Sequence, residues 1–80
     1  MMRPDVFVNK TRERFMRAMI LAQMGDRHSH RKCLEILTDL QTEIEVYEQS
    51  LNHVNMCLLS LRKDVANMRF EVARYLAVAA

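Results

Sequence analysis

The chain has 80 residues, of which 50% are hydrophobic, and it contains one Gly, one Pro, two Cys and seven Met. A chain of this length forms one domain at most, and its hydrophobic content excludes a disordered polypeptide. Two cysteines within apolar segments do not make the disulfide framework of a small secreted protein, so we expect reduced thiols and a cytoplasmic location. The apolar runs are too short for a membrane span.

The net charge of +2 hides an asymmetry between the two parts of the chain. Residues 1–32 hold eight cations against three acids, whereas residues 33–80 hold four cations against seven acids. A basic N-terminal part can attract nucleic acid or an acidic protein. The acidic side chains between residues 35 and 48 can equally neutralise it within the protein.

The N-terminal part predicts a short helix after an extended tail. Residues 1–9 contain too few apolar positions for an element of their own, and Asn9 or Thr11 is a suitable N-cap. We therefore predict an extended tail over 1–9 and a first helix over 10–24. Gly25, the only glycine, is expected to end this helix in the left-handed conformation.

A second helix is predicted to begin after this turn, with Asp26 or Ser29 as its N-cap, and to continue over 27–79. From Cys33 to Ala79, every position at alternating steps of four and three residues is apolar. A period of 3.5 residues sustained over several heptads is typical of a coiled coil. The segment also contains no Gly and no Pro, so the sequence predicts one long coiled-coil helix.

The alternative is a break within 49–55, the most polar stretch of this segment, which holds several weak helix formers. A loop normally shifts the phase of a heptad stripe, because it rarely adds a whole number of heptads. Here Tyr47, Leu51, Val54 and Leu58 keep the 3/4 spacing. The unbroken phase favours the continuous helix over a hairpin.

An exposed stripe of this length needs a partner, and charge and apolar matches favour an antiparallel homodimer over a parallel one. With a two-fold axis near residue 56, Glu48 meets Arg62 of the partner chain and Gln41 meets the partner's Arg69. The apolar flanking residues at the two ends also match. The predicted dimer interface comprises Leu37, Leu40, Ile44, Tyr47, Leu51, Val54, Leu58, Leu61, Val65, Met68 and Val72.

A second apolar line lies outside this seam and consists of Met56, Leu59, Ala66, Phe70, Ala73 and Ala77. In the predicted dimer the first helix of one chain covers this line on the other chain. Each end of the rod then becomes a four-helix cluster. The residues expected to dock a helix, from this chain or from another protein, are Phe15, Met16, Met19, Ile20, Met56, Leu59 and Phe70.

No residue pattern predicts catalysis, a cofactor or a metal site. His28, His30 and Cys33 have metal-binding side chains, but His28 and His30 point about 200° apart on a helix, so the ligands do not converge. The carboxylates are spread around the helix with no pocket to separate their pKa values. Cys57, close to the proposed two-fold axis, is a candidate for an inter-chain disulfide, although an ordinary apolar thiol is the simpler interpretation.

These patterns favour a non-enzymatic interaction protein: an all-α adaptor, scaffold or small chaperone that self-associates and receives helices. The alternative is a small nucleic-acid-associated regulator that uses the basic first helix. The candidate contacts for that function are Lys10, Arg12, Arg14 and Arg17.

Overall fold

In the computed structural model, which describes residues 2–78, the chain forms three α-helices and no strand. Helix α1 spans Pro4–Gln23, α2 spans Arg27–Gln49 and α3 spans Met56–Val78. Neighbouring helices run antiparallel in an up-down-up bundle that measures 43 × 18 × 16 Å. The all-α prediction is confirmed.

The first helix begins six residues earlier than predicted. Pro4 is the first helical residue, where its missing N–H costs nothing and its fixed φ suits the helix, and Asp5 lies in the favourable first turn. Phe7 stacks on Tyr47 of α2 with a centroid distance of 4.0 Å, and Val8 is buried. The prediction of an extended tail over 1–9 is therefore wrong, because tertiary packing holds these residues in the helix.

Neither Asn9 nor Thr11 caps α1, since both lie inside the helix. The turn that follows is as predicted. Gly25 has φ +80°, a left-handed conformation that other residues adopt only with strain. The Asp26 side chain then accepts a hydrogen bond from the Ser29 backbone N–H at 2.9 Å and caps α2.

The predicted helix over 27–79 is wrong, because the chain leaves the helical conformation between Ser50 and Asn55. At one end the Ser50 hydroxyl bonds to the Tyr47 carbonyl at 2.6 Å. At the other end the Asn55 carboxamide oxygen accepts from the Leu58 N–H at 3.0 Å and caps α3. These side chains compete with the helical backbone for hydrogen bonds, and the break lets one chain bury its own stripe.

The core lies between the three helices and is built from the inner stripe of each. Its fully buried large side chains include Leu37, Leu40 and Ile44 of α2 together with Leu58, Leu61 and Val65 of α3. From α1 come Val8, Thr11 and Ala18, all buried. Burying a large aliphatic side chain contributes about 1.5–3 kcal/mol, so this core supplies the main driving force for folding.

The end of the bundle opposite the 50–55 loop is joined by polar and aromatic contacts. Tyr75 stacks on buried His30 with a centroid distance of 3.9 Å, and its hydroxyl donates to the Gly25 carbonyl at 2.9 Å. Arg27 donates to the Leu76 carbonyl at 3.0 Å. These bonds attach the C-terminal turns of α3 to the α1–α2 turn.

We predict that the Asp26 cap makes stability depend on acid pH. Its hydrogen bonds with Ser29 lower the pKa of Asp26, so the carboxylate stabilises the fold above its ordinary pKa near 4 and loses this contribution as the pH falls through the lowered value. Asp26→Ala should lower Tm at pH 7 by roughly 4–8 °C. Thermal unfolding followed by circular dichroism should show this difference shrinking below pH 4. An equal difference at pH 3 and pH 7 would contradict the assignment, and Asp64→Ala, at an exposed mid-helix carboxylate, is the control.

Candidate interaction surfaces

The residues predicted to form a dimer interface mostly lie inside the bundle of a single chain. Leu37, Leu40, Ile44, Tyr47, Leu58, Leu61, Val65 and Val72 are buried in the core, and Leu51 and Met68 pack against it while partly exposed. Val54 differs, because it lies in the 50–55 loop and is 75% exposed. The heptad stripe therefore pairs α2 with α3 of the same chain.

The antiparallel pairing predicted between two chains is found within one. Arg62 Nε lies 3.4 Å from Glu48 Oε1, the pair assigned to opposite subunits from the sequence. Arg69 contacts α2 one turn away from its predicted partner Gln41, donating to Thr38 Oγ1 at 3.2 Å. Within one chain the short 50–55 loop makes α2 and α3 antiparallel, and the antiparallel homodimer stays a prediction.

The predicted helix-docking residues divide into two groups. Phe15 and Met19 are half-buried, and Phe15 packs against the core of its own chain. Met16 and Ile20 lie on the outer side of α1 and are 62% and 55% exposed. The predicted contact of these α1 side chains with the second apolar line of another chain has no counterpart within residues 2–78.

That second apolar line runs along the outer face of α3, interrupted by Lys63, and we call it the α3 outer stripe: Met56, Leu59, Ala66, Phe70, Ala73 and Ala77. Phe70 is 68% exposed and Met56 is 71% exposed, while Leu59 and Ala66 are half-buried. Cys57, which lines the groove against α1, is about 140° around the helix from Phe70, at about 100° per residue. The α3 outer stripe therefore faces away from α1.

Cations border the α3 outer stripe on both sides. At about 100° per residue, Arg62 and Arg69 lie on the side next to α2, Arg74 lies on the side away from it, and Lys63 lies between Phe70 and Met56 in the half of the stripe away from α2. The first two already bond to Glu48 and Thr38. Among residues 2–78, neither Lys63 nor Arg74 has an ion-pair partner. The acids of α3, Asp64 and Glu71, lie about 100–120° around the helix from Phe70, and Glu71 lines a shallow surface pocket together with Arg74. The apolar line was predictable from the sequence, and the position of these cations follows from helical spacing.

The basic residues of α1 do not form one continuous surface. Arg14 Nη1 lies 2.6 Å from Glu43 Oε2, so this cation pairs with the acidic face of α2 as expected. Lys10 and Arg17 are exposed on the same side of α1 as Arg14, at about 100° per residue, whereas exposed Arg12 lies on the side that faces α3. An acidic neighbour and a divided arrangement weaken the attraction for phosphate groups.

The His and Cys residues are separated by burial. Cys33 and His30 are buried, and His30 Nδ1 is 2.9 Å from the Asp26 carbonyl oxygen, whereas His28 is exposed. Within the part of the chain that the structure describes, no three His, Cys, Asp or Glu residues are placed to hold a metal ion. Burial raises the pKa of the Cys33 thiol, which makes it unreactive. Cys57 is exposed.

A shallow groove of about 430 Å³ lies beneath the 50–55 loop, between the facing ends of α2 and α3. Leu51, Val54, Leu58 and Leu59 line it together with the Glu48–Arg62 pair. The loop does not close over the core at this end, so apolar surface of Leu51 and Val54 remains open to solvent. His53, Asn52 and Asn55 complete the lining of this groove.

None of the three helices is long and apolar enough to cross a lipid bilayer over residues 2–78. Searches of protein-family models, of curated proteins and of solved structures find no match to this chain. The exposed surfaces of the bundle, above all the α3 outer stripe, therefore carry the functional proposal.

We predict that the two thiols react with Ellman's reagent at very different rates. Cys57 should react within minutes under native conditions, and Cys33 should react only on the timescale of unfolding, because it is buried and its pKa is raised. The measurement is the number of thiols titrated before and after adding guanidinium chloride. Cys57→Ser should abolish the fast phase, and a fast phase that persists in this variant would contradict the packing of Cys33.

Proposed function

We propose that this protein is a non-enzymatic interaction module, acting as an adaptor, scaffold or small chaperone, and that it binds an amphipathic helix of another protein on the α3 outer stripe. The observation that carries the proposal is an apolar line of six residues along one face of α3, centred on exposed Phe70. An exposed apolar face with charged residues beside it is typical of interaction sites.

The side-chain sizes along the stripe favour a helix as the occupant. Ala66, Ala73 and Ala77 are small, so another helix can approach α3 closely above and below the Phe70 ring. Phe70 then serves as the anchor that enters a gap between side chains of the partner. A membrane surface would draw more binding energy from large side chains, which this stripe supplies mainly through Phe70 and Met56.

The border of cations specifies the charge of the partner. Lys63 and Arg74 lie exposed in the half of the stripe away from α2. A partner helix with Asp or Glu beside its apolar face on that side would place carboxylates near these two cations. Such complementarity gives orientation and selectivity more than affinity, because exposed ion pairs contribute at most about 1 kcal/mol each.

The nucleic-acid alternative has less support. Arg14 pairs with Glu43, and Arg12 lies on a different side of α1 from Lys10 and Arg17. Phosphate binding depends on several cations that act together on one face. The interaction module is therefore the better proposal.

We predict that a synthetic helical peptide of roughly 20 residues, with a Leu/Ala apolar face bordered by Glu, binds this protein and perturbs the NMR signals of the α3 outer stripe. The matched peptide with Lys in place of Glu should bind at least several-fold more weakly. Phe70→Ala should weaken binding roughly 10- to 100-fold, because burying a Phe side chain contributes about 1.5–3 kcal/mol. Calorimetric titration gives these affinities.

Met16→Ala is the matched control, since Met16 is a similarly exposed apolar residue on α1, and it should leave the affinity unchanged. In the double variant Lys63→Glu with Arg74→Glu, the two charges are reversed. This variant should bind the Lys-bordered peptide more tightly than the Glu-bordered peptide. Equal binding of both peptides by the original protein would refute the charge argument. Binding to anionic vesicles with no binding of either peptide would replace the helix with a membrane surface as the target.

A further inference from the structure

We propose that this protein forms a domain-exchanged dimer, in which the 50–55 loop straightens into helix and α3 of each chain takes the place of α3 in the other. The partner is a second copy of this chain, and the surfaces it uses are the core faces of α2 and α3. The proposal concerns self-association and does not depend on the α3 outer stripe, which stays exposed in either form.

The loop is chemically able to become helical. It contains neither Gly nor Pro, and no non-glycine residue between residues 2 and 78 has a positive φ. The ends of the loop are set by two side chains, Ser50 bonding to the Tyr47 carbonyl and Asn55 capping α3. Straightening would exchange these capping bonds for regular helical hydrogen bonds.

The phase of the apolar stripe passes through this loop without a shift. Leu51 and Val54 continue the 3/4 spacing from Tyr47 to Leu58, although in the closed chain the loop is not helical. A closed hairpin does not require this continuity, and it leaves Val54 75% exposed. In a straightened helix Leu51 and Val54 would enter the seam at the centre of the dimer, so exchange buries apolar surface that the closed form leaves in water.

The other connection in the fold has the opposite character. Gly25 joins α1 to α2 with φ +80°, a conformation that a continuous helix does not contain. The α1–α2 hairpin is therefore expected to stay closed while the α2–α3 hairpin opens. Each half of the exchanged dimer then rebuilds the same bundle, with α1 and α2 from one chain and α3 from the other.

The pairing at the loop end of the bundle suits both forms. Glu48 and Arg62 lie at equal distances along the chain from residue 55, so the same ion pair forms whether α3 comes from its own chain or from the second copy. Closed and exchanged forms thus share nearly all contacts. The equilibrium between the closed monomer and the exchanged dimer therefore depends on association entropy and on the conformation of the six loop residues in each chain. Domain exchange generally occurs under this condition, in which the two forms differ only at the hinge.

The test uses a matched pair of variants at one exposed loop position, Asn52→Ala and Asn52→Gly. Ala favours helix across the hinge and Gly opposes it, and each dimer contains two hinges, so Asn52→Ala should dimerise roughly 30-fold more tightly than Asn52→Gly. Each protein is refolded at high concentration, and its mass is measured by light scattering after size exclusion. The exchanged dimer should be about 75–80 Å long in small-angle scattering, at 1.5 Å per residue over α2, the hinge and α3, against 43 Å for the closed chain.

Cross-linking distinguishes exchange from any other dimer. In a Cys57→Ser background, Thr38→Cys chains are refolded together with Arg69→Cys chains and treated with a short bis-maleimide. Thr38 contacts Arg69 across the α2–α3 interface, so a link between different chains forms only when α3 has moved to the other chain. The Cys57→Ser chain without a further cysteine, cross-linked in the same way, provides the background from buried Cys33.

An inter-chain link together with tighter association of Asn52→Ala supports the proposal. A dimer without that link is a surface contact and overturns it, as does equal association of the two Asn52 variants. Monomers alone, for both variants and for the two cross-linking chains, also overturn it. The outcome of these dimerisation and cross-linking experiments does not depend on whether the Glu-bordered peptide binds. The two proposals can therefore fail independently.

Discussion

The structure depends on the packing of one apolar stripe of α2 against one apolar stripe of α3 within the same chain. Leu37, Leu40 and Ile44 have no exposed surface, and their counterparts Leu58, Leu61 and Val65 are at most 1% exposed. Without this contact, α2 and α3 are amphipathic helices of 23 residues, which have little stability in isolation. Helix α1 completes the core through Val8, Thr11 and Ala18, so the position of every exposed surface follows from this pairing.

The parts of the fold that depend on local chemistry were predictable from the sequence. Gly25 and Asp26 mark the α1–α2 turn through backbone conformation and capping, and both behave as expected. The 3/4 spacing identified most of the buried residues of α2 and α3, although Val54 of the same stripe is 75% exposed. It did not reveal whether the partner helix belongs to the same chain, because periodicity describes one face of a helix and says nothing about what covers it. The apolar stripe keeps its spacing across the 50–55 loop, which favours a continuous helix. A hairpin, however, is compatible with any spacing that lets the stripes of α2 and α3 both face inward.

The start of α1 was not predictable from local sequence, because Phe7 and Val8 are held in the helix by tertiary contacts with α2 and the core.

The candidate surface was predictable in part for the same reason. The line from Met56 to Ala77 was visible as apolar residues outside the seam, and its exposure in the bundle agrees with a surplus of apolar surface. Its expected cover, α1 of another chain, disappears once α1 packs into its own bundle. What remains is an apolar face bordered by Lys63 and Arg74, which gives the interaction hypothesis a location and a charge preference. The structural roles of His30 and Cys33 depend on tertiary contacts that the sequence does not show. Tyr75 stacks on His30, and Cys33 is part of the core.

The central claim, that α2 and α3 of one chain pack on each other, is tested most directly by isotope-filtered NMR. Labelled and unlabelled protein are mixed in equal amounts in denaturant and refolded together at low concentration. The account predicts strong methyl NOEs between α2 core residues and α3 core residues within labelled chains, and none between labelled and unlabelled chains in this dilute sample. Spectra in which these contacts appear only between chains, or in which residues 50–55 show helical chemical shifts in a monomer, would contradict it.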